Sequence, residues 1–231
     1  MNGHVLLTRP VDFSNEISSK IEEKGYKVSI QPFLEIIHQN PVEKDLNQYA
    51  GLIFTSQNAV HSFAEQYPER DIEIYTVGNQ TTDTAKHHGF KTIQNADGDI
   101  NDLEQLLLSN KTDKAFYYPR GEHISRPFDP NINIESDIFY TAEALESINP
   151  KIKQKIINGE FSHIVFFSRR TAENFIRILT RTSRVKPALN KTKALCLSNS
   201  MIEFLQLLPW QSIEVSPSPN REGLLSLLNN H

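Results

Sequence analysis

The 231-residue chain has one cysteine, Cys196, and lacks any long apolar run. A lone thiol excludes an intrachain disulfide and a cysteine zinc site, and a reducing cytoplasm is the expected compartment. No apolar stretch approaches the roughly 20 residues that a membrane span requires. Met1-Asn2-Gly3-His4 leads straight into a strand pattern, so no signal peptide is expected. The eight histidines show no HExxH spacing, and neither GxGxxG nor the P-loop pattern occurs. No Ser-His-acid set can be read from spacing. A net charge of −4 and a pI near 6.1 leave no broad basic footprint for nucleic acid. Any positive ground for an anionic ligand must therefore be local.

What is present is a stretch that occurs twice. In Leu52 to Val60, an apolar strand pattern meets the polar cluster Ser56-Gln57-Asn58, and Val60, Phe63, Ala64 and Tyr67 then recur at helical spacing. In such a strand-turn-helix the first helical N–H groups point outward with the positive end of the helix dipole behind them, which suits a carboxylate or phosphate. Ile164 to Ala172 repeats the arrangement around Ser168-Arg169-Arg170, with Ser168 lying 112 positions after Ser56. Val77-Gly78-Asn79-Gln80-Thr81 is answered by Leu197-Ser198-Asn199-Ser200, and Ile93 by Ile213. A period of roughly 110 to 120 residues is too long for a solenoid and fits two copies of a βα domain.

In order, the pattern gives a strand at Val5-Leu6-Leu7, a helix from about Asn15 to Lys24, and a strand from Tyr26 to Gln31. A polar run from Pro41 to Gln48 follows the segment Pro32 to Asn40. After the first Ser56 turn come a strand over 72–77, a helix through Thr84-Ala85 stopping at Gly89, and a short strand over 90–93. Asn101 to Glu104 resembles a capping box. Ala115 to Tyr118 reads as a strand turning at Pro119-Arg120-Gly121-Glu122, and proline and asparagine make the next segment irregular. A strand at Asp137 to Ala142 leads to Pro150, and from Lys151 the alternation resumes to a final leucine-rich helix at 221–228. The fold class expected is α/β: two similar domains, each a parallel sheet with helices on both faces.

These residues resemble the uroporphyrinogen-III synthase family along the whole chain. The matching pieces are Leu7-Thr8-Arg9-Pro10, Phe54 to Val60, Val77 to Thr81, Gly89-Phe90, Pro119-Arg120-Gly121, the strand ending at Tyr140, Val165 to Ser168 and Ser216-Pro217-Ser218-Pro219. Their order and spacing carry the resemblance. It implies a discontinuous domain of residues 1–36 plus 146–231, an inserted domain of 40–140, and a two-stranded linker at 33–39 and 141–147. It implies conversion of hydroxymethylbilane, with its eight carboxylates, to uroporphyrinogen III with ring D inverted, without a cofactor or metal. It also implies a monomer, with transient contact with hydroxymethylbilane synthase and no membrane or nucleic-acid partner.

Open α/β sheets bind ligands at the carboxyl ends of their strands. The resemblance therefore makes Thr8, Arg9, Ser56, Gln57, Asn58, Gly78, Asn79, Thr81, Ser168, Arg169, Ser198, Asn199 and Ser200 the substrate-binding set, with Arg120 or Arg126 as additional cations. It makes Tyr140 the acid near the departing ring A hydroxyl. Ser198-Asn199-Ser200 stands where the family usually shows glycine, proline and threonine. The residues alone leave other readings open. The serines and Asn79 serve equally as helix caps, His87-His88 suits a helix C-terminus, and the same two lobes would serve a non-enzymatic receptor for a small organic anion or a degenerate relative that only binds.

Overall fold

The computed structural model describes residues 2–96, 98–181, 186–218 and 220–229. Pro219, the last residue of the Ser216 motif, lies outside them. The chain forms two compact units, one of residues 1–35 and 143–231 and the other of residues 36–142.

The first unit contains strands β1 (His4–Leu7) and β2 (Lys27–Ile30) flanking helix α1 (Val11–Glu22). The chain leaves through β3 (Leu34–His38). The second unit holds β4 (Gly51–Phe54), α2 (Gln57–Gln66), β5 (Ile74–Val77), α3 (Asn79–His87), β6 (Ile93–Ala96), α4 (Ile100–Ser109), β7 (Phe116–Gly121) and β8 (Ile134–Ala144), whose end returns to the first unit. The first unit is completed by α5 (Pro150–Ile157), β9 (His163–Phe166), α6 (Arg169–Thr180), β10 (Lys193–Cys196), α7 (Ile202–Leu205), β11 (Ser212–Val215) and α8 (Arg221–Ser226).

The two sheets run β11-β10-β9-β1-β2 and β6-β5-β4-β7-β8-β3. Every neighbouring pair other than β8–β3 is parallel, and β3 runs antiparallel to β8, Gln39 N–H donating to Phe139 O and Leu145 N–H to Phe33 O. Laid side by side, β9 answers β4, β10 answers β5 and β1 answers β7. The repeat therefore survives as topology, although the chain enters each copy at a different strand. Alternation along the central strands sorts side chains to opposite faces. Leu6 and Phe166 join one cluster with Phe175 of α6, while Val5, Leu7 and Val165 join another with Ile17 of α1 and Leu224 of α8. In the second unit Leu52 and Phe54 meet Phe63 of α2, and Ile53 meets Leu103 of α4. Both sheets are thus covered on both faces, and the α/β class holds.

Several boundaries differ from the expected ones. Helix α1 starts at Val11, not near Asn15, because Pro10, with fixed φ and no N–H to satisfy, leads directly into it. The strand expected at 90–93 lies at Ile93–Ala96 instead. Phe90 is a core residue that follows the left-handed Gly89 (φ +89°) and donates its N–H to Ala85 O, closing the end of α3. The capping box sits two residues earlier than expected, on Asp99 and Asp102. Strand β7 continues through Pro119 to Gly121 where a turn was expected. Pro119 is tolerated because the pairing of β7 with β4 covers only Phe116 and Tyr117.

One contact in the first unit concerns both chain crossings. Asn174, buried on α6, donates to the carbonyls of Phe33 and Leu145, and Leu145 N–H also donates to Phe33 O. Arg177, one turn on, donates to Leu145 O at 3.0 Å and to Glu146 Oε2 at 2.9 Å.

Candidate functional site

In the second unit, the carboxyl edge of the sheet brings together groups distant in sequence. Ser56 caps α2: its Oγ accepts from the N–H of Asn58 at 3.2 Å. The same oxygen accepts the phenolic O–H of Tyr140 at 2.9 Å. Tyr140 reaches it because the β7–β8 register slips between Arg120 and Gly121, setting Gly121 opposite Tyr140. A Cβ on Gly121 would stand 2.7 Å from Tyr140 Cζ, so the ring occupies space that only glycine leaves.

Beside this pair, Thr55 Oγ1 lies 2.7 Å from the hydroxyl of Tyr118. Burial pushes the Tyr118 phenol up, and Tyr140 nearby adds to the rise. Gln57, buried at the first turn of α2, donates to Gln80 Oε1 at 3.4 Å, while its own Oε1 has no partner among the described residues. Gly78 is left-handed (φ +81°) with no atom within 4 Å of a built Cβ, and it starts α3. Asn79 is exposed and accepts from Asn95, whereas Thr81 is buried.

The first unit repeats the turns with different partners. Ser168 caps α6, accepting from Thr171 N–H at 3.2 Å and lying 2.8 Å from Thr171 Oγ1. Arg169 is paired with Glu173 at 3.0 Å and Glu203 at 2.8 Å, and stacks over Phe204 at 4.8 Å. Arg9 lies between the rings of Phe13 and Phe167, at 4.6 and 5.2 Å. Thr8 is fully buried and donates to Val165 O at 2.6 Å, tying β1 to β9. Ser198 Oγ lies 2.8 Å from Ser200 Oγ, and Asn199 is exposed at the start of a short 3-10 turn. Thus Ser56, Asn58 and Tyr140 form one cluster, Gln57 contacts Gln80 beside α3, and each first-unit turn is tied up locally.

Other sequence candidates lie elsewhere. Arg126 makes a two-pronged contact with Glu104, holding that carboxyl below the usual range. Arg120 donates to the carbonyls of Gly121 and Glu122. His88 Nε2 is 2.8 Å from His61 Nδ1, and no group of three metal-ligating side chains occurs among the described residues.

A family model described as "Uroporphyrinogen-III synthase HemD" matches residues 15–226. The chain belongs to the uroporphyrinogen-III synthase family. A uroporphyrinogen-III synthase of Chlorobaculum parvum is 24% identical over 200 residues, covering 76% of this chain and 78% of that protein. An uncharacterized protein of Rickettsia prowazekii is 30% identical over 218 residues, covering 88% and 74%. In fold, the crystal structure of a mutant uroporphyrinogen III synthase from the extreme thermophile Thermus thermophilus aligns over 98% of this chain and 97% of that one, with TM-score 0.51 and 14% identity.

Within this member of the uroporphyrinogen-III synthase family, sequence reasoning missed Thr55, Tyr118 and Gly121 as parts of the edge. Gly121 was visible as a motif, but the reason for it is a strand partner 19 residues away. Tyr118 was hidden in the apolar run Phe116-Tyr117-Tyr118, which reads as core.

Proposed function

We propose that this protein cyclises hydroxymethylbilane to uroporphyrinogen III, with loss of water and inversion of ring D. The observation that carries the reading is a phenol, Tyr140, donating to a helix-capping hydroxyl, Ser56, at the carboxyl edge of a parallel sheet. A phenol can supply a proton or hydrogen bond for a departing oxygen, directly or through the hydroxyl it donates to. The chemistry starts with loss of the ring A hydroxyl, giving an electrophilic azafulvene that ring D attacks to form a spiro intermediate. The substrate also closes unaided to the type I isomer, so the protein's larger task is holding ring D where inversion is possible.

The substrate's carboxylates are assigned to the turns carrying Thr8, Arg9, Ser56, Gln57, Asn58, Gly78, Asn79, Thr81, Ser168, Arg169, Ser198, Asn199 and Ser200. Supporting this, helix-terminal N–H groups, hydroxyls and the Arg9 and Arg169 guanidinium groups are suited to carboxylate recognition. Thr8, whose hydroxyl is engaged within the sheet, contributes by fixing the backbone beside Arg9. We also assign the two units as the domains of a cytoplasmic monomer joined by the strands at 33–39 and 141–147, in transient contact with hydroxymethylbilane synthase.

The test is to supply freshly made hydroxymethylbilane, oxidise the products, and separate uroporphyrin I from uroporphyrin III. A dominant type III product is expected, and Tyr140→Phe should lower the rate while keeping the isomer ratio. Type I alone, at the spontaneous rate, would overturn the reading.

A further inference from the structure

The hydrogen bonds at Ser56 leave one atom uncommitted. A serine hydroxyl has two lone pairs and one proton. Both lone pairs of Ser56 Oγ are engaged, one by Asn58 N–H at 3.2 Å and one by the O–H of Tyr140 at 2.9 Å. Tyr140 is the donor in that second bond, and Ser56's own hydrogen has no acceptor among the described residues. Ser56 is partly exposed at the sheet's carboxyl edge, so this hydrogen is free to turn toward a ligand's oxygen there. Ser56 also heads a ten-residue helix whose first turn has no acidic side chain, and the field there favours negative charge growing on Oγ.

We infer that Ser56, and not Tyr140, is the group that hands the proton to the departing hydroxyl of the substrate's ring A, with Tyr140 reloading it from behind. This rests on the cyclase reading above. In the step, Ser56 Oγ–H passes its proton to the hydroxymethyl oxygen while Tyr140 passes its phenolic proton to Ser56 Oγ. The C–O bond breaks and its electron pair leaves in water. The pyrrole nitrogen's pair forms the exocyclic double bond, and that ring's acidified N–H returns its proton to the Tyr140 phenolate through solvent. The products are water and a neutral azafulvene, with Ser56 and Tyr140 restored.

Ser56 is then the catalytic residue and Tyr140 acts through it, so their losses should not multiply. Ser56→Gly keeps an acceptable helix cap and should lower kcat about a hundredfold with KM changed less than about threefold, in the usual range for a general acid. Tyr140→Phe should lower kcat about tenfold, and the double variant should match Ser56→Gly alone. Ser56→Thr, which retains the hydroxyl, should restore most of the rate. Circular dichroism of each variant verifies that it is folded. A kcat for Ser56→Gly within threefold of wild type, or a double variant in which the two losses multiply, would overturn the relay. The cyclase reading is judged separately, by whether the wild type forms type III product in the same assay.

Discussion

The turn after β4 and the turn after β9 are the same device built twice, and their surroundings differ. Each is a buried strand of four residues, a capping serine in extended conformation and a long amphipathic helix. Ser168 shares its hydroxyl with Thr171 of its own helix, so that cap is closed on itself. Ser56 is instead addressed by a residue 84 positions away on another strand. The helices also start differently: α6 opens with Arg169 and Arg170, Arg169 being bound to two carboxylates, whereas α2 opens with the neutral Gln57 and Asn58. A duplicated fold thus supplies two equivalent positions for a hydroxyl, and only the neighbouring strand decides which one can be fed a proton.

Removing a core ring should treat the two copies alike. Phe54→Ala and Phe166→Ala, both fully buried on the central strands, should each cost about 3–5 kcal/mol, measured by urea unfolding. A much smaller loss in one unit would break the structural equivalence. Gly121→Ala should separate the copies: the new Cβ meets the Tyr140 ring at 2.7 Å, costing about 1–3 kcal/mol. It should also lower kcat about tenfold, as Tyr140→Phe does, because the displaced ring acts through Ser56. Unchanged kinetics would mean that the ring's position is immaterial.

The two caps give a finer contrast. Ser56→Ala and Ser168→Ala should each destabilise by about 1 kcal/mol, but only Ser56→Ala should reduce kcat with KM retained. Arg169→Gln should change stability by less than about 0.5 kcal/mol, since an exposed ion pair contributes little, while raising KM several-fold.

The smallest difference lies in acid. Arg126 holds the Glu104 carboxyl below its ordinary value, so the stability this gives is complete above the unfolded carboxyl pKa and is lost as pH falls through the lowered folded one. Glu146, held low by Arg177 in the first unit, is far more exposed. Arg126→Gln should therefore flatten the acid limb of stability more than Arg177→Gln.

What was legible in the sequence was local. A strand, a serine and helical spacing name the Ser56 and Ser168 turns without knowledge of their neighbours, and the alternation of strands with helices gives sheets covered on both faces. The Tyr140–Ser56 bond depends on a register slip that no local pattern encodes, and the Glu104–Arg126 pair joins a helix to an irregular crossover. Apolar residues misled where they serve a turn: Phe90 looks like strand and closes a helix instead.

The grip of Asn174 on Phe33 and Leu145 sets an order of events during synthesis. Strand β1 pairs with residues 163–165, so the N-terminal piece remains without its central neighbour until those residues have left the ribosome. The segment 36–142 has by then been complete for some time, and at 5–20 residues per second its head start is a few seconds. All the strands of its sheet lie within residues 34–144. The inserted unit therefore folds first, and α6 locks the waiting N-terminal segment to the returning strand only when Asn174 is made. A released fragment of residues 1–150 should already protect the inserted unit from proteolysis while leaving β1 and α1 open to cleavage.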